Sequence, residues 1–256
     1  MKFIDTHTHL YLDNYDADRD EVVTDAINSG VQTMLLPAID STTFKSMGQL
    51  SAKYPNNCFP MIGLHPTSVK DDYEKEMAFV ESELKEGKYI AVGEIGIDLY
   101  WDKTYVDEQR DVFRRQLNFA KNYNLPVVIH TRESFDEIYP ILKEESTEEL
   151  RGVFHCFTGT NAEAEKIINL GFMMGIGGIL TFKNSELDKV VQNIPLEHLL
   201  LETDSPFLTP MPYRGKRNQS SYLTYIAAKL AEIKRLNIEE VAEITTKNAE
   251  KLFKLV

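Results

Sequence analysis

The sequence predicts an α/β protein, a (β/α)8 TIM barrel formed by residues 1–256 as a single domain. Three observations predict it. Short apolar runs alternate with stretches of helical spacing along the whole chain. The runs are continuously apolar, as in parallel strands buried on both faces. The alternation reaches eight units without a linker or a change of composition. A dinucleotide-binding sheet would want a glycine-rich loop after its first strand, where this chain has Thr6-His7-Thr8-His9. The units share no sequence self-similarity, which sets aside a repeat array.

The opening strand spans residues 3–10, and a period of two places Asp5, His7 and His9 on one face. Ala17, Val22, Val23, Ala26 and Ile27 give residues 16–29 helical spacing, stopped at Gly30. Residues 33–37 form a buried strand, 41–54 a helix, and 58–64 a third strand stopped by His65-Pro66. A helix over 73–86 precedes a strand over 89–94, and a long helix over 106–123 precedes a strand over 126–130. Later strands fall at 152–155, 172–176 and 198–202, with helices at 162–170, 186–192 and 222–234 and an extra one at 238–252. Ser134-x-x-Glu137 and Thr160-x-x-Glu163 have capping-box form.

A net charge of −12 argues against a broad basic surface for nucleic acid, although Arg214-Gly215-Lys216-Arg217 departs locally from that balance. Cys58 and Cys156 are too sparse for a disulfide framework or a structural zinc site, and both are expected as small buried apolar residues. No apolar run reaches the roughly 20 residues that span a bilayer, and no signal peptide is visible, so the expected location is cytoplasmic without membrane association.

The chemistry gathers at strand ends. His7 and His9 close the first strand, His65 the third, Glu94 the fourth, His130 the fifth, His155 the sixth and Asp204 the eighth. Loops after barrel strands build the active-site face, and five of the six histidines lie there. Imidazoles mixed with carboxylates and no thiolates suit zinc, manganese, iron or nickel, and a site richer in oxygen suits magnesium. The set is too large for one catalytic ion with an open position. Two divalent ions sharing Glu94 is the economical arrangement, and it implies hydrolysis.

Asp5-Thr6-His7-Thr8-His9, Gly63-Leu64-His65-Pro66, Gly93-Glu94-Ile95-Gly96-Ile97-Asp98, Ile129-His130-Thr131-Arg132, Phe154-His155-Cys156-Phe157-Thr158-Gly159, Glu202-Thr203-Asp204-Ser205-Pro206 and Arg214-Gly215-Lys216-Arg217-Asn218 follow one another along the chain. Together these motifs resemble those of TatD-like hydrolases, metal-dependent deoxyribonucleases within the amidohydrolase-type barrels. Their order matches that family over essentially the whole chain. The resemblance implies a barrel with two divalent ions (Mg, Mn or Zn). His7 and His9 hold the first with Asp204 beside it, Glu94 bridges, and His130 and His155 hold the second. It further implies Asp204 as general base or orienting acid and His65 as a phosphate-side or proton-transfer residue. Two departures stand out: Thr67, where many relatives carry a second histidine, and Gln219-Ser220, where many continue with Glu-Pro.

Arg132, Arg214, Lys216 and Arg217 are candidates for phosphate contacts, because a guanidinium engages two phosphate oxygens in one plane. Glu202 is a candidate for a substrate contact or a supporting role, and Asp5 is expected to orient an imidazole. Tyr100, Trp101, Phe157 and Phe207 follow strand ends, where rings stack on bases or simply pack. The expected activity is a deoxyribonuclease, an exonuclease acting on single-stranded DNA or on ends, working as a monomer. A small-molecule ester, amide or lactone hydrolase, or an aminoacyl-tRNA deacylase, would use the same site. A metal-binding scaffold without turnover is the remaining alternative.

Overall fold

The structure, a computed structural model, describes residues 1–255. Strands and helices alternate: β1 Phe3–Asp5, α1 Arg19–Asn28, β2 Val31–Leu36, α2 Phe44–Lys53, β3 Cys58–Pro60, α3 Tyr73–Leu84, β4 Val92–Asp98, α4 Val106–Tyr123, β5 Val127–Arg132 and α5 Phe135–Glu145. They continue as β6 Gly152–Phe154, α6 Asn161–Asn169, β7 Met173–Ile176, α7 Leu187–Val191, β8 Leu199–Leu201, α8 Leu223–Lys234 and α9 Ile238–Phe253.

All strand pairs are parallel and consecutive, β1 to β3 in one run and β4 to β8 in another. Ile62 bridges to Val92 and Thr8 to Ser205, which joins the two runs at both seams and closes the barrel. The second seam is built by Thr6 N donating to Leu201 O (3.0 Å), Asp204 N to His7 O (2.9 Å) and His9 N to Ser205 O (2.7 Å).

The barrel interior explains where the polar residues lie. Ile4, Leu35, Met61, Ala91, Val128, Val153, Met173 and Leu200 form one apolar layer inside the strands. Ala249, Leu252 and Phe253 of α9 plug it from the N-terminal end. Because side chains alternate along a strand, the next inward layer lies two residues on. It contains His130, His155 and Glu202, so a hydrophobic floor carries a polar layer directly above it. The outer core, between strands and helices, holds Phe3, Met34, Val92, Ile129, Phe154 and Leu199.

Several boundaries differ from expectation. β1 ends at Asp5, so the period of two stops there. Asp5 has the outward parity of Phe3, and His7 and His9 turn inward only because the chain has left the strand. β4 runs to Asp98 and not to Glu94, with an irregular register between Val92 and Ile95 that aims Glu94 into the barrel. Gly96 sits at φ +144° opposite His130, where a Cβ would meet His130 O at 2.0 Å, so only glycine fits. The Thr160 and Glu163 capping box forms at α6, and Asn237 with Glu240 forms another at α9. Ser134 makes no side-chain cap; its hydroxyl donates to Ile97 O at 2.5 Å and ties α5 to β4. Cys58 is buried, whereas Cys156 is only partly so.

Candidate metal centre

Glu94 stands at the centre of the polar layer, 2% exposed, and its two oxygens face different partners. Oε2 lies 3.1 Å from His7 Nε2 and 3.8 Å from His9 Nε2. Oε1 lies 2.7 Å from His155 Nε2, 2.8 Å from His130 Nδ1 and 3.2 Å from His65 Nε2. Asp204 Oδ1 closes the first side, 3.5 Å from His9 Nε2 and 3.7 Å from His7 Nε2. Asp204 takes a left-handed backbone (φ 54°), which turns its carboxylate back over β1. The structure thus brings His7, His9, His65, Glu94, His130, His155 and Asp204 into one cluster.

Hydrogen-bond partners fix the imidazole tautomers. Tyr11 OH donates to Pro37 O at 2.5 Å, so its oxygen accepts from His9 Nδ1–H at 2.8 Å and the His9 Nε2 lone pair faces the cluster. Asp98 Oδ2 lies 2.8 Å from His130 Nε2 and takes that proton, leaving Nδ1 to face Glu94. His65 behaves differently: its Nδ1 accepts from Thr67 N at 3.1 Å, which places the ring proton on Nε2, facing Glu94. His65 therefore donates to Glu94 and also caps the short 3-10 turn Pro66–Ser68. Thr67, one of the two departures, holds it there.

The electrostatics are those of a site made for cations. Burial alone would raise the Glu94 pKa, yet the surrounding imidazoles of His155, His65, His7 and His130 outweigh it and hold the carboxyl well below the usual carboxylate range. Burial likewise opposes ionisation of Asp204, but the imidazoles of His9, His7 and His155 around it outweigh burial and keep its pKa low. The His7 and His155 rings stack at 3.8 Å, and two such rings do not both carry charge. Burial and His155 push His7 down, whereas Glu94 and Glu202 overcome burial and push His155 up.

A divalent ion fits these residues. His7, His9 and Glu94 form one group whose donor atoms lie within 4.8 Å of one another; His7, His155 and Asp204 form a second, and His65, Glu94 and His130 a third. Carboxylate oxygens and imidazole lone pairs face one another with no proton to share at His9, and a cation between them removes that repulsion. Among the described residues, His7 Nδ1 and His155 Nδ1, both buried, have no hydrogen-bond partner, so neither ring is held there by a second bond of its own.

Residues outside the cluster depart from expectation. Glu202 is fully buried beneath His155, with Oε1 accepting from Cys156 N at 2.5 Å and lying 3.5 Å from His155 Nδ1. Its side chain has no exposed surface, which fits the supporting role expected of it. Gly175 makes room for it, since a Cβ there would lie 2.1 Å from Glu202 Oε2. Asp5 touches no imidazole ring; it accepts from Thr203 N (2.9 Å) and Thr203 Oγ1 (2.6 Å) and holds the segment leading to Asp204. Burial pushes its pKa up to about 7 against the Thr203 and Ser220 hydrogen bonds.

Arg217 is likewise a structural residue. Its guanidinium donates to Asp18 at 2.8 and 2.6 Å and to Asn14 O at 2.7 Å, and it lies 4.5 Å over the Tyr15 ring. Arg214 lies 3.6 Å over the Phe182 ring and Lys216 5.6 Å from that of Tyr213. Arg132 is exposed two residues beyond His130 on the same strand face. Among the described residues, none of these four side chains is bonded to the cluster.

Arg217→Ala should lower stability by about 1 kcal/mol, or roughly 2–4 °C in melting temperature. Its hydrogen bond depresses the Asp18 pKa, so this contribution is present above the unfolded carboxylate value of about 4 and is lost as the pH falls through the folded one. Melting curves at pH 7 and pH 3 check it: the gap between parent and variant should narrow at the lower pH, leaving the part due to Asn14 O and the Tyr15 ring.

Asp98 and Tyr11 were not among the expected site residues. Asp98 shares the inward face with Glu94, a signal visible once β4 is extended past Glu94. Tyr11 lies beyond the strand and carries no periodic signal. Asp98→Ala should reduce metal affinity and kcat/KM by roughly 10–100-fold, because His130 loses the partner that fixes its tautomer. Metal titration and kinetics on the same preparation measure both.

Comparison with known proteins agrees with this geometry. The TatD related DNase profile matches residues 4–254. An uncharacterized metal-dependent hydrolase, YabD, of Bacillus subtilis (strain 168) is 41% identical over 252 residues, 98% of each chain. The metal-dependent hydrolase YcfH of Escherichia coli (strain K12), also named uncharacterized, is 34% identical over 99% of this chain and 96% of its own. The crystal structure of YjjV, a TatD homolog from Escherichia coli K12, superposes with a TM-score of 0.93 at 30% identity, covering 99% of this chain and 98% of that one. A whole-length profile match and relatives at this identity lead to one conclusion: the chain belongs to the TatD related DNase family.

Proposed function

We propose that the chain is a metal-dependent hydrolase of phosphodiester bonds in DNA, an exonuclease on single strands or ends that uses two divalent ions, and that it acts as a monomer. One observation carries the reading: Glu94 presents one oxygen to His7 and His9 and the other to His130 and His155, which supports a carboxylate shared between two cations. Bound there, such ions would lower the pKa of a water and polarise the phosphoryl oxygens.

The chain's own residues do the rest. Asp204, ionised at neutral pH and partly open to solvent, orients the attacking water and accepts its proton. His65 holds Glu94 through Nε2–H and is the candidate for proton transfer on the leaving-group side. Tyr11 and Asp98 keep His9 and His130 in the tautomers that aim lone pairs inward. Arg132, exposed at the rim with its guanidinium over the Tyr100 ring, is the candidate to engage a phosphate in two bonds. An acidic surface that grips no long duplex, with the polar layer at the end of a narrow barrel, favours a strand terminus.

The test is nucleotide release from end-labelled single-stranded DNA in the presence of magnesium, manganese or zinc, with the bound metal measured. Activity is expected from the parent and should be lost in His130→Ala; equal activity in the two would place the chemistry elsewhere.

A second reading, hydrolysis of a small ester, amide or lactone, draws on a cleft of about 460 Å³ beside His155. Its wall includes Thr131, Phe157 and Thr158, and the carboxylates Glu133, Asp136 and Glu163, which suit a neutral or cationic group better than a phosphate. Arg132→Ala separates the two, since it should impair DNA cleavage far more than turnover of a neutral ester.

A further inference from the structure

The loop after β4 carries the most exposed large aromatic pair in the described residues: Trp101 is 68% exposed and Tyr100 48%. Their rings meet edge to face at 4.9 Å. The Arg132 guanidinium lies 3.8 Å over the Tyr100 ring and 5.3 Å from that of Trp101. Exposed apolar surface gathered in one place, unlike a single scattered ring, marks an interaction surface. This pair is also held in place, because Asp98 Oδ1 accepts from Tyr100 N at 2.9 Å and from Trp101 N at 3.1 Å. Further along, Lys70 Nζ bonds Asp102 at 2.8 Å and Tyr105 OH bonds Asp71 at 2.9 Å, so the loop is tied down on both sides.

The same Asp98 reaches the cluster with its other oxygen, bonding His130 Nε2. One carboxylate therefore sets both the direction of a cluster imidazole and the position of the aromatic pair. Arg132 adds charge of the right sign, two residues from His130 on the same face.

We infer that Tyr100, Trp101 and Arg132 form a ledge that takes the nucleobase next to the bond being cut, the base stacking on Trp101 and the adjoining phosphate pairing with Arg132. This rests on the phosphodiesterase reading above and adds a subsite to it. Stacking on a ring face ignores base identity, so the ledge discriminates strands with bases from strands without them and reads no sequence. A base held there places its phosphate beside His130, and Asp98 keeps that spacing fixed from one turnover to the next. The geometry suits an unpaired strand, because a base inside a duplex offers no free face.

Trp101 is the only tryptophan of the chain, so its fluorescence reports on the ledge directly. The metal-loaded protein is titrated with short phosphorothioate oligothymidylate and with an abasic phosphorothioate strand of the same length. Saturable quenching by the first and little by the second is expected. In cleavage of ordinary strands, Trp101→Ala should shrink the kcat/KM preference for the base-bearing strand about tenfold, and Trp101→Phe should restore part of it. Equal quenching by both strands, an unmoved preference, or emission that follows protein concentration, as it would if two copies met at this face, would overturn the ledge. Quenching by oligothymidylate in a protein that cleaves no DNA would sink the phosphodiesterase reading and the ledge's place beside a cut bond, leaving only a surface that stacks bases. Cleavage without quenching would sink the ledge and leave the phosphodiesterase reading standing.

Discussion

Glu94→Gln should lower hydrolysis by more than the roughly 10–100-fold that loss of a residue supporting a metal ligand costs, and should lower the bound-metal content of the same preparation. The size follows from position. Each Glu94 oxygen serves a different set of imidazoles, and an amide offers one neutral oxygen and an N–H that points a proton at nitrogen lone pairs. The fold should survive, because glutamine has the same volume and the apolar layer beneath is untouched. Metal analysis, circular dichroism and steady-state kinetics together check this. A folded variant with full metal content and near-parental activity would remove Glu94 from the centre of the site.

Gly96→Ala is expected to be the most damaging small substitution for stability, costing about 3 kcal/mol or more and roughly 10 °C in melting temperature. At φ +144° an alanine is strained whatever the space, and here its methyl would meet His130 O at 2.0 Å. His130 belongs to the backbone of β5, so the two strands would have to part at the register pair Gly96–His130. The same movement pulls His130 away from Glu94. Activity should therefore fall even at temperatures where the variant remains folded, and thermal melts beside kinetics at low temperature show whether both losses occur.

The barrel was legible because eight apolar runs and the helices between them bury on one side or on both, and burial leaves a periodic trace. α4 falls where its spacing predicts, at Val106–Tyr123. The pattern places β4 at 89–94, several residues ahead of Val92–Asp98, because Gly93, Glu94, Gly96 and Asp98 look unlike a strand; those residues are there for the site, and the site overrides local propensity. The cluster was legible for a related reason: histidines at strand ends have no packing role to explain them. Roles set by distant partners were not legible. Arg217 is paired with Asp18 across 199 positions, and Glu202 fills the space left by Gly175 on the neighbouring strand. A tautomer such as that of His9 depends on where the Tyr11 hydroxyl sends its one proton, which no residue spacing records.

The seam between β1 and β8 bears on the order in which the molecule assembles. Asp5 and Thr203 are 198 positions apart, and the contacts around them close a loop that contains almost the entire barrel. Contacts of such long range return stability only after the intervening chain is ordered, so this seam is among the costliest to form early. His7 and His9 lie on one side of it and Asp204 on the other. The complete donor set therefore exists only in the closed barrel, and high-affinity uptake of a divalent ion during refolding would time the closing of the ring.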